Sequence, residues 1–536
     1  MTNLTLRQKI GQLMVCGFKA NQVVEASNEI LELIRDYHVG GIILFGRNIG
    51  TPDEILQLTT RLQLEAKNAG QDLPLLICID QENGVVRRLG EGTTVFPGAM
   101  LLGATDDPNF AYEMGVATGT ELKALGINWN LAPVVDVNNN PDNPVIGVRS
   151  FGETPEKVAE FGAAAMKGMQ AAGVITALKH FPGHGDTNLD SHLELPTITH
   201  SMDRLEEVEL VPFKKCILEG ADTVMSAHVY FPAIEKQSGV PATMSKSIIT
   251  GLLREKLGFQ GVVTTDCMEM KAISDTIGTA QGAVEAIKAG VDLIMVSHLP
   301  NLQKDSIAAI EKAVENGEIS IEQIDAALER VLKLKSRYLS WDDIANSLNE
   351  VIVPEVVGCA RHQQMAEKAF RHGITIVKNE GILPLSTESI KKVLVMYPTN
   401  SYLTEVEDKR YSSNALGMVV KEVNPDAVIE SLPIHLTEEH LTDVIEKALE
   451  YEIIIIGTLT ASNSPGHIRL IEKLTELGKK IIVIAMRSPY DVSYLPTQID
   501  AYITTYEFTT PALRMAVKAI YGIEKVTGKL PVTLKK

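Results

Sequence analysis

Short apolar runs rich in β-branched residues alternate with longer amphipathic stretches through the first 300 residues. The apolar runs cover 11–18, 41–45, 75–80, 128–135, 175–180, 223–228, 261–266 and 292–297. Between them lie segments of helical periodicity such as 52–68, 155–172 and 282–289. Strands apolar at nearly every position are covered on both faces, as in a parallel sheet under helices. Eight is the number of strands that closes a (β/α)8 TIM barrel; periodicity alone leaves a doubly wound open sheet as the rival. The polar residues favour closure. Run after run ends in a dense polar motif: FGRN, DQENG, DVNNN, KHFPGHGD, SAHVY, TTDCMEM and SH. In a barrel these ends converge on the one rim that carries the active site.

The stretch 301–370 reads as charged helix. A second alternation opens near Gly373, with strands GITIVKN, KKVLVMY, YEIIIIG, KKIIVIAM and DAYITTY, the pattern of a smaller αβα sandwich. The expected fold is therefore α/β: a catalytic (β/α)8 barrel over 1–345, a connection over 346–372 and a C-terminal sandwich over 373–536.

Composition narrows the class. The chain of 536 residues is too long for one ordinary domain, and 45 % hydrophobic with 22 % charged residues is globular. A formal charge of -18 argues against binding nucleic acid or an anionic membrane face. The start, MTNLTLRQKIGQLMVCGFKA, lacks the pattern of a secretory signal, and no apolar run is long enough to span a bilayer. Cys16, Cys78, Cys216, Cys267 and Cys359 are odd in number and mostly set in apolar runs, like reduced buried thiols. A cytoplasmic location is expected.

The chemistry concentrates in four motifs. Lys179-His180-Phe181-Pro182-Gly183-His184-Gly185-Asp186, running on to Asp190-Ser191-His192, gathers three histidines, a lysine and two aspartates. A His/Asp metal site is one reading, but Lys179 sets a positive charge beside it and no HExxH spacing is present. A solvated turn is the bland alternative. The catalytic reading uses the extended geometry, in which residues two apart share a side. Asp190 then bonds one imidazole nitrogen of His192 and leaves the other to move a proton near neutral pH. Asp266, ending the seventh run, fits a nucleophile on a rigid strand or, equally by residue type, an N-cap for 268–273; Glu269 is a less well placed rival. Asp80, with Arg87 and Arg88 behind it, and Arg149 in a Gly-bounded loop are candidates to bind a substrate's polar groups, or else ordinary ion pairs.

In order, KIGQLMVCGF, GGIILFGRN, DQENG, NWNLAPVVDV, RSFG, KHFPGHGDTNLDSH, TTDCMEM, GITIVKNEGILPL and GKLPVTL resemble glycoside hydrolase family 3, and within it the bacterial β-N-acetylglucosaminidases. The resemblance spans nearly the whole chain. It implies Asp266 as nucleophile, His192 as acid/base with Asp190 as its partner, and Asp80, Arg88, Arg149, Lys179 and His180 as residues holding the non-reducing sugar. Asn83 and Val85 stand where the family pattern usually has glycine and arginine; asparagine can adopt the left-handed backbone of a glycine. The implied activity is retaining exo-hydrolysis of terminal β-linked GlcNAc from cell-wall fragments (muropeptides, GlcNAc-MurNAc) or chitin-type oligosaccharides. No cofactor or metal is called for, and the expected partner is a small oligosaccharide. Two variants keep the enzyme class. One is a phosphorylase, because a neutral histidine does not repel phosphate as a carboxylate would. The other is a β-glucosidase with an acid/base among Glu405, Glu407 and Glu507. A binding-only protein is disfavoured by the presence of Asp266, Asp190 and His192 together.

Overall fold

The computed structural model describes residues 4–20, 25–187, 189–191, 194–345, 351–385, 392–399, 404 and 406–534. Each of the eight apolar runs supplies one strand: β1 (Met14–Cys16), β2 (Gly41–Leu44), β3 (Leu76–Ile79), β4 (Trp129–Asn130), β5 (Ile175–Phe181), β6 (Thr223–Ser226), β7 (Val262–Cys267) and β8 (Leu293–Val296). They pair in parallel in sequence order, and β8 returns to β1 through Met14–Ile294, Val15–Met295 and Cys16–Val296, closing the barrel. That closure removes the open-sheet rival. Across these strands every residue is buried except Asp266.

Local signals fix the helices around the barrel. Pro52–Asn68 starts at Thr51, whose side chain accepts from the Glu54 N–H while Glu54 reaches back, with proline in the first turn. Pro155–Ala171 likewise begins on proline and buries Val158, Phe161 and Met166. β4 is shorter than its apolar run because Pro133 has no N–H to donate. Beyond it the chain holds to its neighbours by separate bonds, Leu131 N–H to the Ile79 carbonyl and Val135 N–H to that of Lys179.

The second sheet contains β9 (Thr375–Asn379), β10 (Val393–Pro398), β11 (Val428–Leu432), β12 (Ile453–Thr458), β13 (Lys480–Ala485) and β14 (Ala501–Thr504), in the order β11-β10-β12-β13-β14-β9. Its pairs are parallel except the antiparallel β9–β14 edge. Alternation separates two faces. Val393, Val395, Ile453, Ile455, Ile482 and Ile484 face the core that includes Ala415–Val423 and Thr510–Ile520 and runs on into the barrel. Leu394, Met396, Ile454, Ile456, Ile481 and Val483 pack with Glu438–Ala448 and Pro465–Glu476. This is the expected αβα sandwich. Its edge strand β11 is absent from the sequence reading because VIESL carries Glu430 and Ser431 and is largely only half-buried. All five cysteines are free thiols. No helix among the described residues is long and apolar enough to cross a membrane.

Candidate active site

The C-terminal strand ends surround a cavity of about 510 Å³, within the roughly 300–1,000 Å³ of small-molecule sites. Of the expected residues, Asp80, Arg88, Arg149, Lys179, His180 and Asp266 line it. Asp190 is half-buried in the loop after β5, its carbonyl accepting from the Glu194 N–H at 3.2 Å, and is not part of that lining. His192 lies outside the described residues.

Two cations of the cavity wall are held by a carboxylate, Glu82, that carries no role in the sequence reading. Glu82 takes Arg149 in a two-point contact at 2.7 and 2.8 Å and Lys179 at 2.6 Å. Lys179 also meets Asp80 at 2.7 Å. Burial pushes the Glu82 carboxyl up, but Arg149 and Lys179 outweigh it and hold the group well below the usual carboxylate range. Burial would likewise lower Lys179, yet Asp80 and Glu82 raise it, so the ammonium stays charged though 2 % exposed. Paired in this way, the donors are already oriented before a ligand arrives.

A second unassigned carboxylate, Asp136, organises the loop after β5. It is fully buried and accepts from His180 Nδ1 at 2.7 Å and from the backbone N–H of His184 at 2.7 Å. Burial raises its carboxyl, but His180 and His184 hold it lower than usual. With Nδ1–H given to that carboxylate, His180 keeps Nε2 for the cavity. His184 sits between Thr187 (Nδ1, 2.9 Å) and Ser191 (Nε2, 2.9 Å), and burial followed by the charge of His180 brings it down to about 4. This neutral ring thus anchors the segment leading to Asp190. Gly185 is required at its position because a Cβ there would lie 1.7 Å from the Val137 carbonyl oxygen.

Asp266 ends in the cavity, and its Oδ1 accepts from the Cys267 N–H at 2.6 Å. It does not cap a helix: the next helix is Lys271–Ser274, with Met270 in the capping position. Glu269 accepts backbone N–H groups from Ser297, His298 and Leu299 at 2.7, 2.6 and 3.0 Å, which makes it a brace between the β7 and β8 loops.

Residues 5–334 match the glycosyl hydrolase family 3 N-terminal domain, and residues 374–536 match its C-terminal domain. The chain belongs to glycoside hydrolase family 3. It is 34 % identical to β-hexosaminidase A of Pseudoalteromonas piscicida, over 94 % of this chain and 91 % of the relative. Identity to a β-N-acetylglucosaminidase/β-glucosidase of Cellulomonas fimi is 28 %, over 93 % of this chain and 89 % of that one. A family 3 β-N-acetylglucosaminidase structure from Paenibacillus sp. str. FPU-7 superposes with a TM-score of 0.92 at 41 % identity, covering 99 % of each chain. The protein is a glycoside hydrolase.

In this family 3 chain the sandwich contributes to the cavity directly, through Val406. Arg410, paired with Asp408 at 2.9 Å, donates to the Arg88 carbonyl at 2.5 Å and so ties the sandwich to the Asp80–Arg88 segment. That segment turns at Asn83, which adopts φ 70° as the sequence reading allowed. Glu407 is buried against Arg487 at 2.6 Å. Glu507 accepts from the Gly98 N–H at 2.7 Å and from Thr509 at 2.6 Å. Neither glutamate lines the cavity, and Glu405 lies outside the described residues.

Proposed function

We propose that this enzyme is a retaining exo-β-N-acetylglucosaminidase with Asp266 as nucleophile and His192, partnered by Asp190, as acid/base. The observation that carries the reading is Asp266: the one unburied residue of the barrel strands opens on the same cavity as Asp80, Arg88, Arg149, Lys179 and His180. The N-acetyl sugar is supported by the 41 % identity, across the chain, to a β-N-acetylglucosaminidase and by the KHFPGHG…DSH loop.

Asp80 accepts sugar hydroxyl protons, and Arg88, Arg149 and Lys179 donate to sugar oxygens, the last two in positions that Glu82 has already set. Asp266 attacks the anomeric carbon as protonated His192 gives its proton to the departing glycosidic oxygen. Neutral His192 then takes a proton from water, which attacks the glycosyl ester, frees Asp266 and returns the sugar with retained configuration. Cell-wall fragments ending in GlcNAc (GlcNAc-MurNAc and its peptide-bearing forms) are the first substrate class, chitin disaccharide the next. A cytoplasmic place in fragment recycling fits the five free thiols.

The test is cleavage of p-nitrophenyl β-N-acetylglucosaminide against the matching glucoside, with and without phosphate. The N-acetyl substrate is cleaved in preference, Asp266→Ala is inactive, and His192→Ala loses about 10²–10⁴-fold in kcat. Equal rates on both sugars, or an active Asp266→Ala, contradict the reading; GlcNAc-1-phosphate as product identifies a phosphorylase.

A further inference from the structure

Next to Asp266 the cavity wall carries a thiol, an imidazole and a carboxylate that glycoside cleavage leaves unused. Cys267 is the last residue of β7, Glu269 follows in the same loop, and His298 lies just beyond β8. Donor atoms of the three lie within 4.8 Å of one another, and Cys267 Sγ is 3.8 Å from Glu269 Oε2. A tetrahedral zinc, with bonds of about 2.3 Å to sulfur and about 2.0–2.2 Å to oxygen, sets such a pair roughly 3.5 Å apart. Among the described residues this is the one trio of His, Cys and acidic side chains gathered so closely.

The scaffold is already fixed. Three backbone N–H groups from the β8 loop hold Glu269, two on Oε2, the oxygen nearest Cys267 Sγ, and one on Oε1. The His298 ring packs on Phe45 at 5.0 Å between centroids, which fixes its orientation.

We propose that Cys267, Glu269 and His298 form a site for a thiophilic divalent cation, zinc before all others, on the wall of the cavity beside Asp266, where its occupation competes with the sugar. The cation binds as the thiol proton passes to solvent and a metal–sulfur bond forms; its fourth position faces the cavity. A cation with little affinity for sulfur, such as Mg²⁺ or Ca²⁺, is not selected by this thiol and imidazole pair. The site is inhibitory and lies outside the catalytic cycle.

The test is titration of the full-length, metal-free protein with Co²⁺, read as tetrahedral visible absorption with a sulfur-to-cobalt charge-transfer band. Both signals should saturate stoichiometrically and vanish on adding Zn²⁺ but not Mg²⁺. Cys267→Ser should lose the charge-transfer band, Cys359→Ser should keep it, and His298→Ala should weaken binding at least about tenfold. Circular dichroism checks that each variant folds. Zn²⁺ should also raise the KM for an aryl glycoside without changing kcat. No charge-transfer band in the wild type, a band surviving Cys267→Ser, or Zn²⁺ binding that leaves KM unchanged overturns the proposal.

Discussion

Glu82 answers two buried cations at once, and that double contact keeps Lys179 and Arg149 charged inside the cavity wall. Glu82→Gln keeps the shape but removes the charge. Breaking a buried ionic contact costs about 3–5 kcal/mol. The variant should therefore melt lower and show a KM raised about tenfold or more, measured by thermal denaturation and steady-state kinetics; unchanged values for both would refute this role. Position after a strand or in a Gly-bounded loop marks Asp80, Arg88 and Arg149 as candidates, whereas Lys179 and His180 are placed with them by the family resemblance. Glu82 and Asp136 sit in the same kind of motif, DQENG and NWNLAPVVDV, but their partners are remote in sequence and so do not show there. A buried lysine or arginine needs a counter-charge, and that requirement was the available signal.

At the scale of the element, the loop after β5 depends on a neutral His184. Its value of about 4 lies below the ordinary 6.5, so the unfolded chain binds more protons between these two pH values. Stability is present in full above 6.5 and is lost as pH falls toward 4, by up to about 3 kcal/mol. His184→Phe should flatten the melting temperature across that window and, with Thr187 and Ser191 released, lower kcat about tenfold. An unchanged pH profile would mean that another group sets it. The strands were legible wherever both faces are buried, since such runs need no alternation to stand out. β4 and β11 were not: Pro133 cuts the first short, and the second has the polar composition of an edge.

For the whole molecule, the two-domain plan could be read from its alternating runs, but the seam between barrel and sandwich could not. That seam joins Arg410 to Arg88 and Glu507 to Gly98 across more than 300 residues of sequence. Burial pushes the Glu507 carboxyl up to about 7 from 4.5. Folding therefore favours its protonated form, and this group costs stability as pH rises from 4.5 through 7, the opposite slope to His184. Glu507→Gln keeps both contacts, accepting from Gly98 and donating to Thr509. It should raise the melting temperature at pH 8 while leaving it nearly unchanged at pH 4; an equal shift at both would assign the effect to packing.

The central claim is that the sugar is carried covalently on Asp266. The most direct measurement is intact-mass and peptide analysis after incubation with 5-fluoro-β-N-acetylglucosaminyl fluoride, which forms the glycosyl ester but releases it slowly. The account predicts one added sugar, on the peptide bearing Asp266, and none in Asp266→Ala. Turnover without an adduct, or an adduct on another carboxylate, would contradict it.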